Sequence, residues 1–117
     1  MTQTMAEFLE VRTTIDSEEG ARRIAQQLVE QRLAACVQIS GPIQSVYWWQ
    51  GAIEQAQEWL CSAKTRADLY SAVEQAIRAA HSYEEPEIIA VPLAAGSEGY
   101  LRWLTAETTR PTSDNPQ

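Results

Sequence analysis

The chain has 117 residues, of which 44% are hydrophobic and 21% are charged, a composition typical of one globular domain. Nine Lys and Arg residues against 16 Asp and Glu give a formal charge of −7, and this acidic balance argues against a nucleic-acid partner. No apolar run approaches the roughly 20 residues of a membrane span, and the N-terminus lacks a signal-peptide pattern, so the sequence predicts a cytoplasmic protein without membrane contact.

The chain opens with the pattern of a strand followed by a helix. Residues 8–15 alternate apolar and polar side chains, which predicts a strand buried on one face. Apolar residues at spacings of three and four predict a helix over residues 17–33. Asp16, with Glu19 three residues later, predicts the cap of this helix.

A long hairpin is predicted next. Residues 36–49 form its first strand, in which Gly41-Pro42 indicates a bulge or bend on a sheet edge. Gln50-Gly51 marks a tight turn, and residues 53–64 form the returning strand. Even positions of that strand are mostly polar and odd positions apolar, as expected when one face is buried.

The last part of the chain repeats the helix and strand pattern. Thr65, with Asp68 three residues on, predicts the cap of a second helix. The elements predicted after that helix are a polar loop over residues 81–86, a strand over residues 87–93 and a short amphipathic helix over residues 98–105.

The predicted order is β-α-β-β-α-β plus a short C-terminal helix, an α+β fold of the ferredoxin-like class with an extended hairpin between its second and third strands. Residues 7–106 form the predicted domain. Residues 1–6 are expected to be a flexible N-terminus and residues 107–117 a disordered, polar tail.

The hairpin is too long to be covered by its own helices. A strand of 14 residues reaches about 45 Å, whereas a helix of 17 residues spans only about 25 Å. The uncovered end carries Tyr47, Trp48 and Trp49, which are expected to contact other copies of the chain. The alternative is that these aromatic rings pack on the sheet of their own subunit.

Few residues in the sequence could support catalysis. The only histidine is His81, and a nucleophilic pair with Cys36 is conceivable, although a buried, unreactive Cys36 is favoured. Cys61 lies on the apolar face of its strand and is interpreted as core. Phosphate-binding loops and serine-hydrolase motifs are absent from the sequence, which favours a protein that is not an enzyme.

Two charged positions have more than one interpretation. Lys64 ends its predicted strand immediately before a predicted helix N-terminus, where it would help to bind an anion; alternatively it pairs with Glu58. His81 lies near Glu84, Glu85 and Glu87, which would supply oxygen ligands to a metal, but a lone histidine in a polar loop also fits a surface or capping role.

Five segments together resemble the CutA-type divalent-cation tolerance proteins. The resemblance covers about residues 7 to 106 in order. Its segments are Arg32-Leu33-Ala34-Ala35-Cys36-Val37, Tyr47-Trp48-Trp49-Gln50-Gly51-Ala52-Ile53-Glu54, Lys64-Thr65, His81-Ser82-Tyr83-Glu84-Glu85-Pro86-Glu87-Ile88 and Tyr100-Leu101-Arg102-Trp103-Leu104.

This resemblance implies a homotrimer, similar in architecture to PII signalling proteins, with a cavity for a small-molecule or metal ligand between subunits. The implied cavity residues are Cys36, Glu58, Lys64, Tyr83, Glu87 and Trp103, and His81 is the implied metal ligand. No cofactor is obligatory, and a divalent cation such as Cu²⁺ would bind weakly. Two positions depart from the copper-ligand pattern of some members, since Arg12 replaces a cysteine and Ala80 a histidine.

The sequence thus predicts a non-enzymatic, trimeric binding or signalling protein of the divalent-cation tolerance type. Its rivals are a PII-like sensor of a small organic anion, an enzyme that uses Cys36 with His81, and a structural scaffold for other proteins.

Overall fold

The computed structural model describes residues 6–110, which form strands and helices in the predicted order. A single 3-10 turn, Ala67–Leu69, precedes the second helix. The elements are β1 (Phe8–Ile15), α1 (Glu18–Glu30), β2 (Cys36–Trp49), β3 (Ala52–Arg66), α2 (Tyr70–Ala80), β4 (Ile88–Pro92) and α3 (Glu98–Glu107).

The four strands form one antiparallel sheet in the order β2-β3-β1-β4, which confirms the predicted ferredoxin-like fold. One face of the sheet, here called the inner face, packs against α1 and α2. The core consists mainly of aliphatic side chains from these elements, including Val11, Ile15, Ile24, Leu28 and Ile77. Alternation along the strands places Glu10, Arg12, Ser62 and Lys64 on the opposite, outer face.

The two helix starts differ from the sequence prediction. Ser17, not Asp16, caps α1, because its side-chain oxygen accepts a 2.9 Å hydrogen bond from the amide of Gly20. Thr65 does not cap α2. It is a fully buried residue of β3, and its hydroxyl donates to the carbonyl of Leu33 at 2.6 Å. Strand β3 therefore continues beyond Lys64, which does not adjoin a helix N-terminus.

The predicted bulge is present in β2, which is an edge strand. Ser40 pairs with Leu60, but the next paired residue, Ile43, lies opposite Glu58, so the register shifts at Gly41-Pro42. Gly41 has a φ of +154°, and an added Cβ would lie 2.7 Å from Cδ1 of Trp59, so only glycine fits there.

Before the bulge, the even-numbered residues of β2 lie on the outer face, and beyond it this alternation is reversed. Odd-numbered residues such as Ser45 join Glu58 on the outer face, whereas Val46 and Trp48 lie on the inner-face side with Ile53. No helix reaches this end, so Val46, Trp48 and Ile53 remain 64%, 72% and 61% exposed. These three residues are called the tip patch.

The ordered C-terminal part reaches slightly beyond the predicted domain boundary at residue 106. Helix α3 ends at Glu107, and the buried Thr108 accepts a 3.0 Å hydrogen bond from Nε of Arg66. The expectations for residues 1–5 and 111–117 fall outside the described range. Within residues 6–110, none of the helices has the length and hydropathy needed to cross a bilayer.

Candidate functional site

Glu58 is a buried carboxylate at the base of the projecting hairpin. Its side chain lies on the outer face of β3 and is only 5% exposed. Oε1 accepts a 2.6 Å hydrogen bond from the hydroxyl of Ser45, and Oε2 accepts one of 2.6 Å from the hydroxyl of Tyr83. Two hydroxyl donors thus compensate for part of the hydration that this carboxylate loses on burial.

The loop between α2 and β4 is held in place by His81. One ring nitrogen, Nε2, lies 2.7 Å from the carbonyl oxygen of Thr14, so it must carry the proton and donate. The other, Nδ1, accepts a 3.0 Å hydrogen bond from the amide of Tyr83. The imidazole therefore links the end of β1 to the loop and aims Tyr83 towards Glu58.

A cleft of about 650 Å³ lies between this loop and the outer face of the hairpin. Its walls combine aromatic rings with carboxylates. The lining residues are Thr14, Ser45, Val46, Tyr47, Trp48, Trp49, Glu58, Tyr83, Glu84, Glu85, Pro86 and Glu87. A volume of this size is typical of pockets for small organic ligands, which range from about 300 to 1,000 Å³.

The cleft favours the neutral form of Tyr83. Burial raises the pKa of the Tyr83 phenol well above its usual range, and the hydrogen bond to Glu58 and the charge of Glu58 raise it further. Tyr83 therefore remains a hydrogen-bond donor at physiological pH. It orients Glu58 and does not act as a general base.

Lys64 lies in a different group on the outer face. Its Nζ donates a 2.8 Å hydrogen bond to Oε1 of Gln38, and its charge is close enough to Glu10 to help lower the pKa of that carboxyl. Hydrogen bonds from Ser62 and Arg12 are the larger causes of that lowered pKa. Lys64 is thus engaged by neighbouring strands of its own chain.

Cys36 and Trp103 lie near Lys64. Cys36 is the register partner of Lys64, and burial together with the adjacent Cys36 raises the pKa of Tyr100. The ring of Tyr100 in turn packs against that of Trp103 at a tilt of 41°, with centroids 5.4 Å apart. Helix α3 therefore covers the end of the outer face where β2 begins.

The six predicted cavity residues consequently form two groups within one chain. Glu58, Tyr83 and Glu87 line the cleft, whereas Cys36, Lys64 and Trp103 lie at the other end of the sheet. Glu58 and Lys64 are six residues apart along β3, which corresponds to about 20 Å. A single chain therefore does not bring the two groups into one cavity.

The possible nucleophilic pair is also separated. His81 contacts Thr14, which pairs with Leu60, whereas Cys36 pairs with Lys64, about 13 Å further along β3. The other thiol, Cys61, has a pKa raised by burial to about 11 and is inert at neutral pH. Hydrogen bonding between Cys36 and His81 is excluded by this separation.

A preformed site for a divalent metal ion does not fit the residues present. Across residues 6–110, no group of three or more His, Cys, Asp or Glu side chains is arranged to hold a metal ion. Both ring nitrogens of His81 already have backbone partners, so the imidazole would have to release one of them to bind a metal. The role of His81 as a metal ligand stays a prediction, and it requires one ring nitrogen to give up its backbone hydrogen bond.

Ser45 is the residue of this site that the sequence reading missed. The two-residue turn Gln50-Gly51, with φ of 51° and 83°, pairs Trp49 with Ala52 and hence Ser45 with Ala56. This register places Ser45 diagonally opposite Glu58, on the same face. Counting back from the turn, instead of forward from Cys36, would have identified it.

Comparison with known proteins places the chain in a family. The family profile described as "CutA1 divalent ion tolerance protein" matches residues 9–107. The "Divalent-cation tolerance protein CutA" of Thermus thermophilus is 45% identical over 95 residues, covering 81% of this chain and 92% of that protein. The "Protein CutA 1, chloroplastic" of rice is 38% identical over 107 residues, covering 92% of this chain but only 60% of the rice protein.

Solved structures agree with this match. The "Periplasmic divalent cation tolerance protein CutA" from Archaeoglobus fulgidus superposes with a TM-score of 0.85 at 39% identity, covering 87% of this chain and 99% of its own. The crystal structure of CutA1 from Oryza sativa gives a TM-score of 0.86 at 37% identity, covering 93% of this chain and all of its own. The sequence motifs, the ferredoxin-like fold and the family profile agree, and the chain belongs to the CutA1 divalent ion tolerance family.

Proposed function

We propose that this chain is a non-enzymatic, homotrimeric binding and signalling protein of the divalent-cation tolerance type, with a ligand cavity completed between subunits. The observation that carries the proposal is the projecting hairpin with its tip patch. Val46, Trp48 and Ile53 form a contiguous apolar surface that no helix of the same chain covers. Large exposed apolar patches of this kind mark contact surfaces between proteins.

A second copy of the chain is the partner that best fits this surface. Lone ribbons with exposed aromatic residues tend to associate, and most stable homo-oligomers close through a rotation axis. Three copies form the assembly that the family resemblance implies. Burial of a tryptophan and two aliphatic side chains from each copy would contribute several kcal/mol per contact, on the order of 2 kcal/mol per side chain.

The cleft supports the cavity proposal. Tyr47 and Trp49 line its hairpin wall but remain 41% and 44% exposed in the single chain. A neighbouring subunit seated against the hairpin would cover this open side and enclose Glu58 further.

Binding of divalent cations is proposed to be weak and to need no obligatory cofactor. Glu84, Glu85 and Glu87 supply carboxylate oxygens at the rim of the cleft, and Cu²⁺ prefers nitrogen or sulfur ligands that are scarce there. The trimer would then confer tolerance of divalent ions by signalling their presence, and not by sequestering copper tightly.

The proposal of a protein that is not an enzyme rests on the state of its candidate nucleophiles. Cys61 is a buried core thiol, and Cys36 is separated from His81, the candidate base, by about 13 Å along β3. Cytoplasmic localisation is proposed because both cysteines are free thiols, as is usual in a reducing compartment. The relatives differ in this respect, since one is named as periplasmic and another as chloroplastic.

The organic-anion sensor is not favoured by the cleft. Four of its lining residues are glutamates, and the lysine on which an anion site would depend, Lys64, is bonded to Gln38 instead.

Sedimentation analysis tests the proposed function directly. We expect a trimer of the 13.1 kDa chain at micromolar concentration, with a weight that stays constant on dilution. A well-folded monomer under these conditions would refute the trimer and the inter-subunit cavity together.

A further inference from the structure

All charged side chains that line the cleft are carboxylates. Its charged lining residues are Glu58, Glu84, Glu85 and Glu87, and no Lys, Arg or His of the described residues lines it. Only Glu85 has a cationic neighbour, Arg78, at 3.5 Å. Carboxylates that share a partly enclosed space repel one another, and a positively charged ligand relieves this repulsion.

Aromatic rings form a second part of the walls. Tyr47 and Trp49 lie on the outer face of the hairpin with Glu58, and Tyr83 faces them from the loop. The faces of tryptophan and tyrosine rings carry partial negative charge and attract cations within about 6 Å. Aromatic walls also bind the apolar part of an organic molecule, which a hydrated inorganic ion lacks.

Glu58 adds a specific acceptor at the base of the cleft. The carboxylate is buried and accepts two hydroxyl hydrogen bonds, one from Ser45 and one from Tyr83. An ionised carboxylate can accept about four hydrogen bonds, so capacity remains for an ammonium donor. Within residues 6–110, no Lys, Arg or His lies within salt-bridge distance of Glu58.

The size of the cleft distinguishes an organic cation from a bare metal ion. A volume of about 650 Å³ is far larger than one ion needs, and the side chains present do not form a metal-binding group. We propose that this cleft binds an organic ammonium ion, a molecule with a cationic nitrogen on an apolar body. The inference rests on the proposed function, because the neighbouring subunit is expected to close the open side of the cleft.

Three compounds with one shape and different charges test this inference. Benzylammonium, benzyl alcohol and benzoate share an aromatic ring and similar size, and at pH 7 they are positive, neutral and negative. In calorimetric titrations of the full chain, benzylammonium should bind about tenfold more tightly than benzyl alcohol, and benzoate should bind most weakly. Equal affinities, tighter binding of benzoate or no binding at all would overturn the inference.

Isosteric variants locate the site. Glu58→Gln and Glu87→Gln each remove one negative charge of the cleft and should weaken benzylammonium binding about tenfold and several-fold, respectively. Glu19→Gln removes the same charge from the exposed first turn of α1 and should leave the affinity unchanged. Equal effects of all three variants would indicate a general charge effect and refute the assignment to the cleft.

Sedimentation analysis of the wild type and of each variant separates the proposed trimer from the proposed organic-cation site. A trimer that shows no preference for benzylammonium refutes the organic-cation inference and leaves the proposed assembly intact. A folded monomer refutes the proposed assembly, and the ranking of the three compounds then decides the chemistry of the cleft independently.

Discussion

The hydroxyl of Tyr83 donates a 2.6 Å hydrogen bond to Oε2 of Glu58, joining the loop after α2 to strand β3. Tyr83→Phe should lower the free energy of unfolding by about 1–3 kcal/mol, because the buried carboxylate loses one of its two donors. Urea denaturation measures this loss. Tyr70→Phe is the control, since its hydroxyl lies beside Glu74 on α2 and its loss should cost less than about 1 kcal/mol.

A double-mutant cycle extends this test to Ser45, the other donor to Glu58. Ser45→Ala and Tyr83→Phe should be coupled by about 0.5–3 kcal/mol, because they share one carboxylate. Simple additivity of the two losses, or a Tyr83→Phe effect no larger than that of Tyr70→Phe, would argue against a buried network at this position.

Cys61 should make stability depend on alkaline pH. Burial raises the pKa of its thiol from an ordinary value near 9.0 to about 11. The raised pKa favours the folded state, and this contribution is fully present below pH 9 and is lost as the pH rises through 11. Between these values the free energy of unfolding should fall by at most about 1.4 kcal/mol per pH unit from this group.

Variants of the two cysteines check the assignment. Cys61→Ala should reduce the slope between about pH 9 and 10 without abolishing it, because Tyr83, whose pKa is also raised by burial, still contributes there. The small cavity left by the substitution lowers stability at every pH. Cys36→Ala should retain the slope, since Cys36 is only partly buried. If both variants retained it, the alkaline dependence would have to come from another group.

The tip patch should control assembly. Trp48 is 72% exposed in the single chain, so Trp48→Glu should leave the fold intact while placing a charge in the proposed subunit contact. Sedimentation should show a monomer, with unchanged far-ultraviolet circular dichroism. Val29→Glu, at a 43% exposed position of α1, is the matched control and should remain trimeric. A trimeric Trp48→Glu protein would place the contact elsewhere.

His81→Ala separates a structural role from a metal role. Removal of the imidazole loses hydrogen bonds to Thr14 and Tyr83, and stability should fall by about 1–3 kcal/mol. Calorimetric titration with Cu²⁺ should give the same weak isotherm as the wild type, because both ring nitrogens are occupied. Loss of a binding step in the variant would instead establish His81 as a copper ligand.

Lys64→Ala addresses the organic-anion alternative. The ammonium of Lys64 is bonded to Gln38 and lies beside Glu10, so a thermal-shift series with nucleotides and carboxylates should give the same responses with and without it. A shift in melting temperature that disappears in the variant would support anion binding, since a ligand stabilises the state that binds it.

Much of the fold follows from local patterns. The predicted bounds of β1 and β2 agree with the structure because period-two alternation and the Gln50-Gly51 turn are short-range signals. The start of the second helix was wrong for a non-local reason. Thr65 is a good helix cap in isolation, but its hydroxyl is used by the carbonyl of Leu33, which lies 32 residues earlier.

The site was predicted less completely than the fold. Glu58, Tyr83 and Glu87 were identified through motifs that resemble those of the family, and they do line one cleft. The separation of Glu58 from Lys64 follows from the extended conformation of β3, along which the two residues lie six positions apart. Contacts between subunits lie outside what one chain can determine, so the sequence could only imply them.

The bulge at Gly41-Pro42 separates two halves of β2 whose alternation has opposite parity, although both halves pair with the same continuous strand β3. The turn at Gln50-Gly51 sets the pairing of the projecting half, so loss of one residue at the bulge would leave Ser45 opposite Ala56. The bulge therefore uncouples the half beside the helices from the half that projects, and a length change at this point can be accommodated without moving the residues of the cleft.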